Sequence, residues 1–188
     1  MSGHTGGDVR AFIIPLVRAA LALAAGIVVT FAQDHSAPFG LAVFGAWALA
    51  AGLLIGALQL RFEADRLTRL LGVIQAVVTA VAGILALTVG GGLAFLLVIV
   101  SAWAAITGFL ELYAGYRARG RSAAARDWLM FGGFTAVLAL VFLLLPPNVV
   151  VSVGILGAYW IILAVFAAIA AFSLKWAPSR QGTGVDAA

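Results

Sequence analysis

The chain has 188 residues, of which 64% are hydrophobic and 10% charged, whereas a soluble domain sits near half apolar and a quarter charged. That balance excludes an ordinary soluble domain and indicates an integral membrane protein. The lack of cysteine excludes disulfides, thiolate nucleophiles and cysteine metal sites, while the formal net charge of +4 is carried by eleven basic residues, ten of them Arg.

A membrane-spanning helix needs about 20 mostly apolar residues to cross a hydrocarbon core about 30 Å thick. After a tail at 1–10 containing His4, the first such stretch runs 11–32 and includes Arg18. Thr30-Phe31-Ala32 resembles a small-residue cleavage site, but Arg18 interrupts what would be a signal peptide's apolar segment, so this helix is expected to stay. A polar turn from Gln33 to Pro38, with His35 beside Asp34, leads into a second span at 38–60 that carries the pair Gly52 and Gly56. The charged connector Arg61 to Arg69 precedes a third span at 67–89, with Gln75 inside it. Gly90-Gly91-Gly92 is a corner; it lacks the Lys and the strand–helix setting of a phosphate loop. The fourth span, 93–116, contains Trp103, Gly108 and Glu111. A second charged connector, Arg117 to Asp127, leads to a fifth span at 128–145, where Gly132 and Ala136 form a small-xxx-small pair. Pro146-Pro147-Asn148 cannot continue a helix, and a sixth span follows at 149–173 before a tail at 177–188. The spans are too long and too rich in Ala and Leu for barrel strands. The fold class is therefore all-α, a polytopic bundle of six transmembrane helices, with the membrane domain covering 11–176.

Charge sets the expected topology. Arg10, Arg61, Arg66, Arg69, Arg117, Arg119, Arg121, Arg126, Lys175 and Arg180 lie at the ends or in the two charged connectors, and the other three loops hold no Lys or Arg. The positive-inside rule then puts both termini in the cytoplasm. The basic surplus is a topology signal and a contact for anionic headgroups; nothing separate supports a nucleic-acid role.

The even-numbered spans are similar to one another. Gly45-Ala46-Trp47, Ser101-Ala102-Trp103 and Gly157-Ala158-Tyr159 place an aromatic at 47, 103 and 159, a separation of 56 each time. Gly52 and Gly108 match in the same register, with Ala164 in the third copy, and Asp34, Gly90 and Pro146 mark the three outer turns. This predicts three parallel helix-hairpin repeats of about 56 residues, over 11–62, 66–118 and 127–175, around a rough threefold axis along the membrane normal. Small residues at Gly52, Gly56, Gly108, Gly132 and Ala136 are expected to let helices approach closely. The repeat aromatics Trp47 and Trp103 are expected to pack rather than stack on a ligand, and Trp128 and Trp176 to sit in the cytoplasmic aromatic belt.

The polar positions inside the spans carry the functional question. Glu111 is flanked at helical spacing by Thr107, Gly108, Ala114 and Gly115, a small-residue face suited to packing against protein. Arg18 and Gln75 sit at comparable depth and differ by 57 positions. One reading is a buried cluster of Glu111 with Arg18 and Gln75, since Arg offers a planar fork to a carboxylate and Gln a further donor. A second has the long side chains snorkel to the cytoplasmic interface. A third is a proton or ion site, the default meaning of intramembrane charge. His4 and His35 lie on opposite sides of the membrane, so they share no metal site and serve no Ser–His–acid triad. No cofactor is expected.

The run Trp103, Gly108, Glu111, Arg117 resembles a motif of the HdeD family of small six-helix bacterial inner-membrane proteins: a Trp, a Gly about five residues on, an acid or amide three later, then an apolar stretch ending in Arg. Asp127-Trp128-Leu129 through Pro146-Pro147, followed by Gly154 to Tyr159, is similar to that family's closing hairpin. The resemblance spans about 11–176; Arg18, and Ile55 where a polar match to Glu111 would stand, depart from it. It implies a non-enzymatic inner-membrane protein linked to acid resistance or envelope stress, with no catalytic residues to carry over. The expected partners are the lipid bilayer and a second copy or another membrane protein. The alternative is a small proton-linked transporter or channel using Glu111, Arg18 and Gln75.

Overall fold

In a computed structural model, the described residues are 6–63, 65–120 and 125–176; His4, Arg121, Arg180 and the outermost tails lie outside them. Six helices account for nearly all of these: α1 (Gly6–Phe31), α2 (Ala37–Phe62), α3 (Arg66–Thr88), α4 (Leu93–Arg117), α5 (Ala125–Leu144) and α6 (Val149–Trp176). Each is long and apolar enough to cross a membrane, so the chain is a multi-pass membrane protein. α1 begins at Gly6, inside the stretch expected to be a tail. Hydropathy misses that first turn because Asp8 and Arg10 are polar, although nothing there breaks a helix.

The turns are built by short-range chemistry. Ser36 caps α2 by accepting from the Phe39 amide at 3.3 Å, and Pro38 in the first turn has no amide to leave unsatisfied. The Asp34 carboxylate accepts from the Ser36 amide at 2.8 Å, which tightens the loop before it. Asp65 caps α3 through the Thr68 amide at 2.8 Å, and Asn148 accepts from the Val151 amide at 3.1 Å at the start of α6. Gly90, at the corner between α3 and α4, has φ +60, a conformation that only glycine adopts without strain.

The closest helix pairs do not coincide with the sequence hairpins. The extensive contacts run between α2 and α3, between α4 and α5, and between α1 and α6, whereas α5 and α6 touch only slightly. The first two pairs are joined by the charged connectors; the third brings together the first and last of the described helices. Small residues explain the choice. A side chain at Gly52 would meet the Ala76 carbonyl and Ala80 amide at 2.7 Å, and one at Gly83 would meet the Leu49 amide at 2.6 Å. At α4–α5 the same holds for Gly108 against the Ala136 amide at 2.8 Å, and at α1–α6 for Gly26 against the Ile161 side chain. Backbones this close gain dispersion contacts, which drive association where lipid is as apolar as Leu.

The even-numbered helices lean inward, with α2 touching both α4 and α6. Trp47 meets Trp103 at a 5.2 Å centroid separation and Trp160 at 5.3 Å, and Trp103 meets Tyr159 at 6.3 Å. Beyond this aromatic centre, toward the short turns without Lys or Arg, Phe44, Leu96, Val100, Val153 and Leu156 are fully buried. Leu53, Leu60, Phe109 and Leu143 point outward, as a lipid-facing surface requires.

Candidate functional site: a buried carboxylate at the end of a one-sided cavity

Glu111 lies on the α4 face that packs against α5, where Gly108, Gly115 and Gly132 leave room only for backbone. The residue is 4% exposed. Its Oε1 accepts from Arg18 Nη2 of α1 and from Gln75 Nε2 of α3, the latter at 2.7 Å. The Arg18 guanidinium also lies over the Phe131 ring of α5, 5.0 Å from its centroid. Arg18 turns inward to pair with Glu111 instead of snorkelling away from it. Gln75 joins the same oxygen, so one carboxylate draws three helices together.

Hydroxyls missed in the sequence extend the network. Thr135 Oγ1 lies 3.5 Å from Glu111 Oε2, 2.9 Å from the Phe131 carbonyl and 3.0 Å from the Tyr159 hydroxyl. Trp103 Nε1 donates to Thr79 Oγ1 at 3.0 Å, and Thr79 donates back to the Gln75 carbonyl at 2.8 Å. A threonine in a transmembrane helix usually bonds the carbonyl one turn back and so gives no warning of a site. The available signal was spacing: Thr79 and Thr135 are 56 apart, and each stands 24 residues before an aromatic at a repeat position, Trp103 or Tyr159.

These groups border a cavity of about 450 Å³. It extends from Phe62, Glu63, Thr68, Asp127 and Trp128, all at the charged-connector ends of their helices, to Trp47, Trp103 and Tyr159. Trp103 stands fourteen residues before Arg117, so the cavity runs roughly 20 Å into the bundle at about 1.5 Å per residue. The aromatic centre closes it. The Trp47 and Trp103 rings pack together and also border the space, and Trp128 lines it at the connector end. Gly52 lines it too; Gly56, Gly132 and Ala136 serve the helix contacts around it.

Moving an ion pair into a low-dielectric interior costs several kcal/mol per ion, and mutual attraction offsets this only with good geometry and further hydrogen bonds. Gln75 supplies one such bond, while the cavity leaves the Arg18 side chain 22% exposed. The pair is therefore held at a border between solvent and packed protein. His35 remains in the α1–α2 turn, and among the described residues no three His, Asp or Glu side chains converge as metal ligands would. The chain matches no protein-family model, no curated protein and no solved structure.

Proposed function

We propose that the chain is a non-enzymatic bacterial inner-membrane protein of the HdeD type, with both termini cytoplasmic, acting in acid or envelope stress. The observation that carries this reading is the Glu111 cluster in a cavity that extends to the connector ends of the helices, where we place its opening. Through that opening the cytoplasm reaches a carboxylate to which α1 and α3 are tied. Neutralising Glu111 removes the charge that compensates Arg18, which loosens α1 and α3 from α4 and alters the surface offered to a second copy or another membrane protein. The test is survival of an acid challenge by cells whose only copy carries Glu111→Gln. Survival falls to that of cells lacking the protein; survival equal to the parent, with the variant inserted at normal levels, rejects the reading.

The cavity favours a second reading, a proton-linked transporter seen open to one side. The fully buried apolar layer of Phe44, Leu96, Val100, Val153 and Leu156 weighs against a continuous conduit. Proton flux into liposomes that Glu111→Gln abolishes would establish transport, and its absence would remove it.

A threefold duplication of a parallel hairpin underlies this architecture in our reading. Its support is that Trp47, Trp103 and Tyr159 meet at the centre, and that Thr79–Trp103 and Thr135–Tyr159 make matching hydrogen bonds in the same 56-residue register. Thr79 follows Gln75 by four residues and Thr135 follows Phe131 by four; Ala22 follows Arg18 by four, one residue out of the 56-residue register, which falls on the half-exposed Leu23. The corresponding aromatic, Trp47, has a buried Nε1 without a hydrogen-bond partner. Ala22→Ser is accordingly expected to raise stability by about 1 kcal/mol, the net worth of one hydrogen bond to an otherwise unsatisfied donor, read as a higher unfolding temperature in nanodiscs. A lower unfolding temperature would deny the equivalence.

A further inference from the structure

The lining of the cavity is unbalanced in charge and in hydrogen bonding. Among the described residues three carboxylates border it, Glu63 and Asp127 at the connector end and Glu111 at depth, against one cation, Arg18. Arg18 is already committed to Glu111 Oε1 and to the Phe131 ring. Among the described residues no connector arginine lines the cavity.

Acceptors without adequate donors remain. Glu111 Oε2 has a single contact among the described residues, Thr135 Oγ1 at 3.5 Å. That hydroxyl has one proton, and the Phe131 carbonyl is better placed to accept it at 2.9 Å. The Glu111 side chain is 5% exposed, so bulk water does little to make up the deficit. Gln59 Oε1, also in a cavity-lining residue, is buried with no partner. Around these acceptors the wall is aromatic: Trp47, Trp103, Trp128, Phe62 and Phe131. Ring faces attract cations, and the attraction grows when water is excluded.

We infer that this cavity is a binding site for a small amphipathic organic cation, an amine or aromatic ammonium compound. Its charged or N–H-bearing end is directed to Glu111 Oε2 and its apolar body lies among the tryptophans. The acidic rim draws such a molecule in from the connector side and disfavours anions of the same size. The site does not depend on the stress role proposed above, since binding requires only that the lining be as described.

Ethidium is a suitable probe: it is a planar aromatic cation with amino donors, and its fluorescence rises in an apolar setting. It is titrated against the full-length protein in phosphatidylcholine nanodiscs, with empty nanodiscs as blank and anilinonaphthalene sulfonate as an anion of similar size. Saturable ethidium binding above the blank is expected, unaffected by the anion. Glu111→Gln weakens it at least about tenfold, through loss of a close charge pair. The rim double variant Glu63→Gln/Asp127→Asn, outside the helix contacts, weakens it about two- to threefold and flattens its salt dependence, as screened charges should. Ethidium binding no greater than the blank overturns the inference. So does binding that neither variant changes, or an anion that binds as tightly or displaces the cation; the last result would give the site to Arg18.

Discussion

Glu111→Ala is expected to lower the unfolding free energy by about 3 kcal/mol, and the double variant Arg18→Met/Glu111→Met to recover most of that loss. Removing one partner of a buried pair leaves the other charge uncompensated, which costs about 3–5 kcal/mol in well-buried cases. The lower end applies because the cavity leaves the Arg18 side chain 22% exposed. Gln75 adds to the loss, since its amide donates to the same oxygen. Replacing both ions with apolar side chains of similar length removes the desolvation cost together with the attraction, which is why the double variant recovers. Chemical or thermal unfolding of single and double variants in nanodiscs measures the coupling as a double-mutant cycle. Additive effects would mean that Arg18 and Glu111 do not act as a pair.

Gly132→Val is expected to cost about 3 kcal/mol or more, while Gly133→Val, one residue on, stays within about 0.5 kcal/mol of the parent. A side chain at Gly132 would begin 2.7 Å from the Leu112 amide and 2.9 Å from both Glu111 Cβ and the Gly108 carbonyl. Two of those atoms are backbone, so α4 and α5 must separate to admit it. At Gly133 a side chain meets nothing within 4 Å. The two variants change composition identically, and only the packing face differs. Gly132→Val also pushes against the helix turn that carries Glu111, so its loss includes part of the polar cluster. Unfolding temperature in nanodiscs, with the fraction of protein correctly inserted, checks both; equal effects would mean that α4 and α5 do not meet through this face.

The spans were legible because hydrocarbon leaves helices little freedom: runs such as 93–116 and 128–145 are apolar enough to cross, and Gly90 before the first and Pro146 after the second mark where a helix cannot continue. Glu111, Arg18 and Gln75 were legible as candidates because polarity inside a span is costly and therefore conspicuous. Their meeting was not. Arg18 and Glu111 are 93 residues apart, and whether such side chains pair or snorkel depends on how their helices are rotated, which composition does not encode. The tight α1–α6 contact was likewise hidden, since it follows from tertiary fit at Gly26 against Ile161 and Gly157 against Val29. The hydroxyls of Thr79 and Thr135 escaped notice because each can bond a carbonyl of its own helix. The cavity rim was passed over because Glu63 and Asp127 sit in connectors rich in Arg, where an acid looks like ordinary surface charge.

The close contact between α1 and α6 bears on the order of assembly at the ribosome. α1 is synthesised before α2 to α5 and its main neighbour, α6, after them. The nascent α1 therefore enters the bilayer with its most extensive contact surface unmet until α6 has been made, and Arg18 waits there for a carboxylate made 93 residues later. An insertion chaperone that shelters α1 over that interval would have its greatest effect on this chain before α4 emerges. Stalling translation after α5 would leave an arrested bundle whose open seam lies along α1.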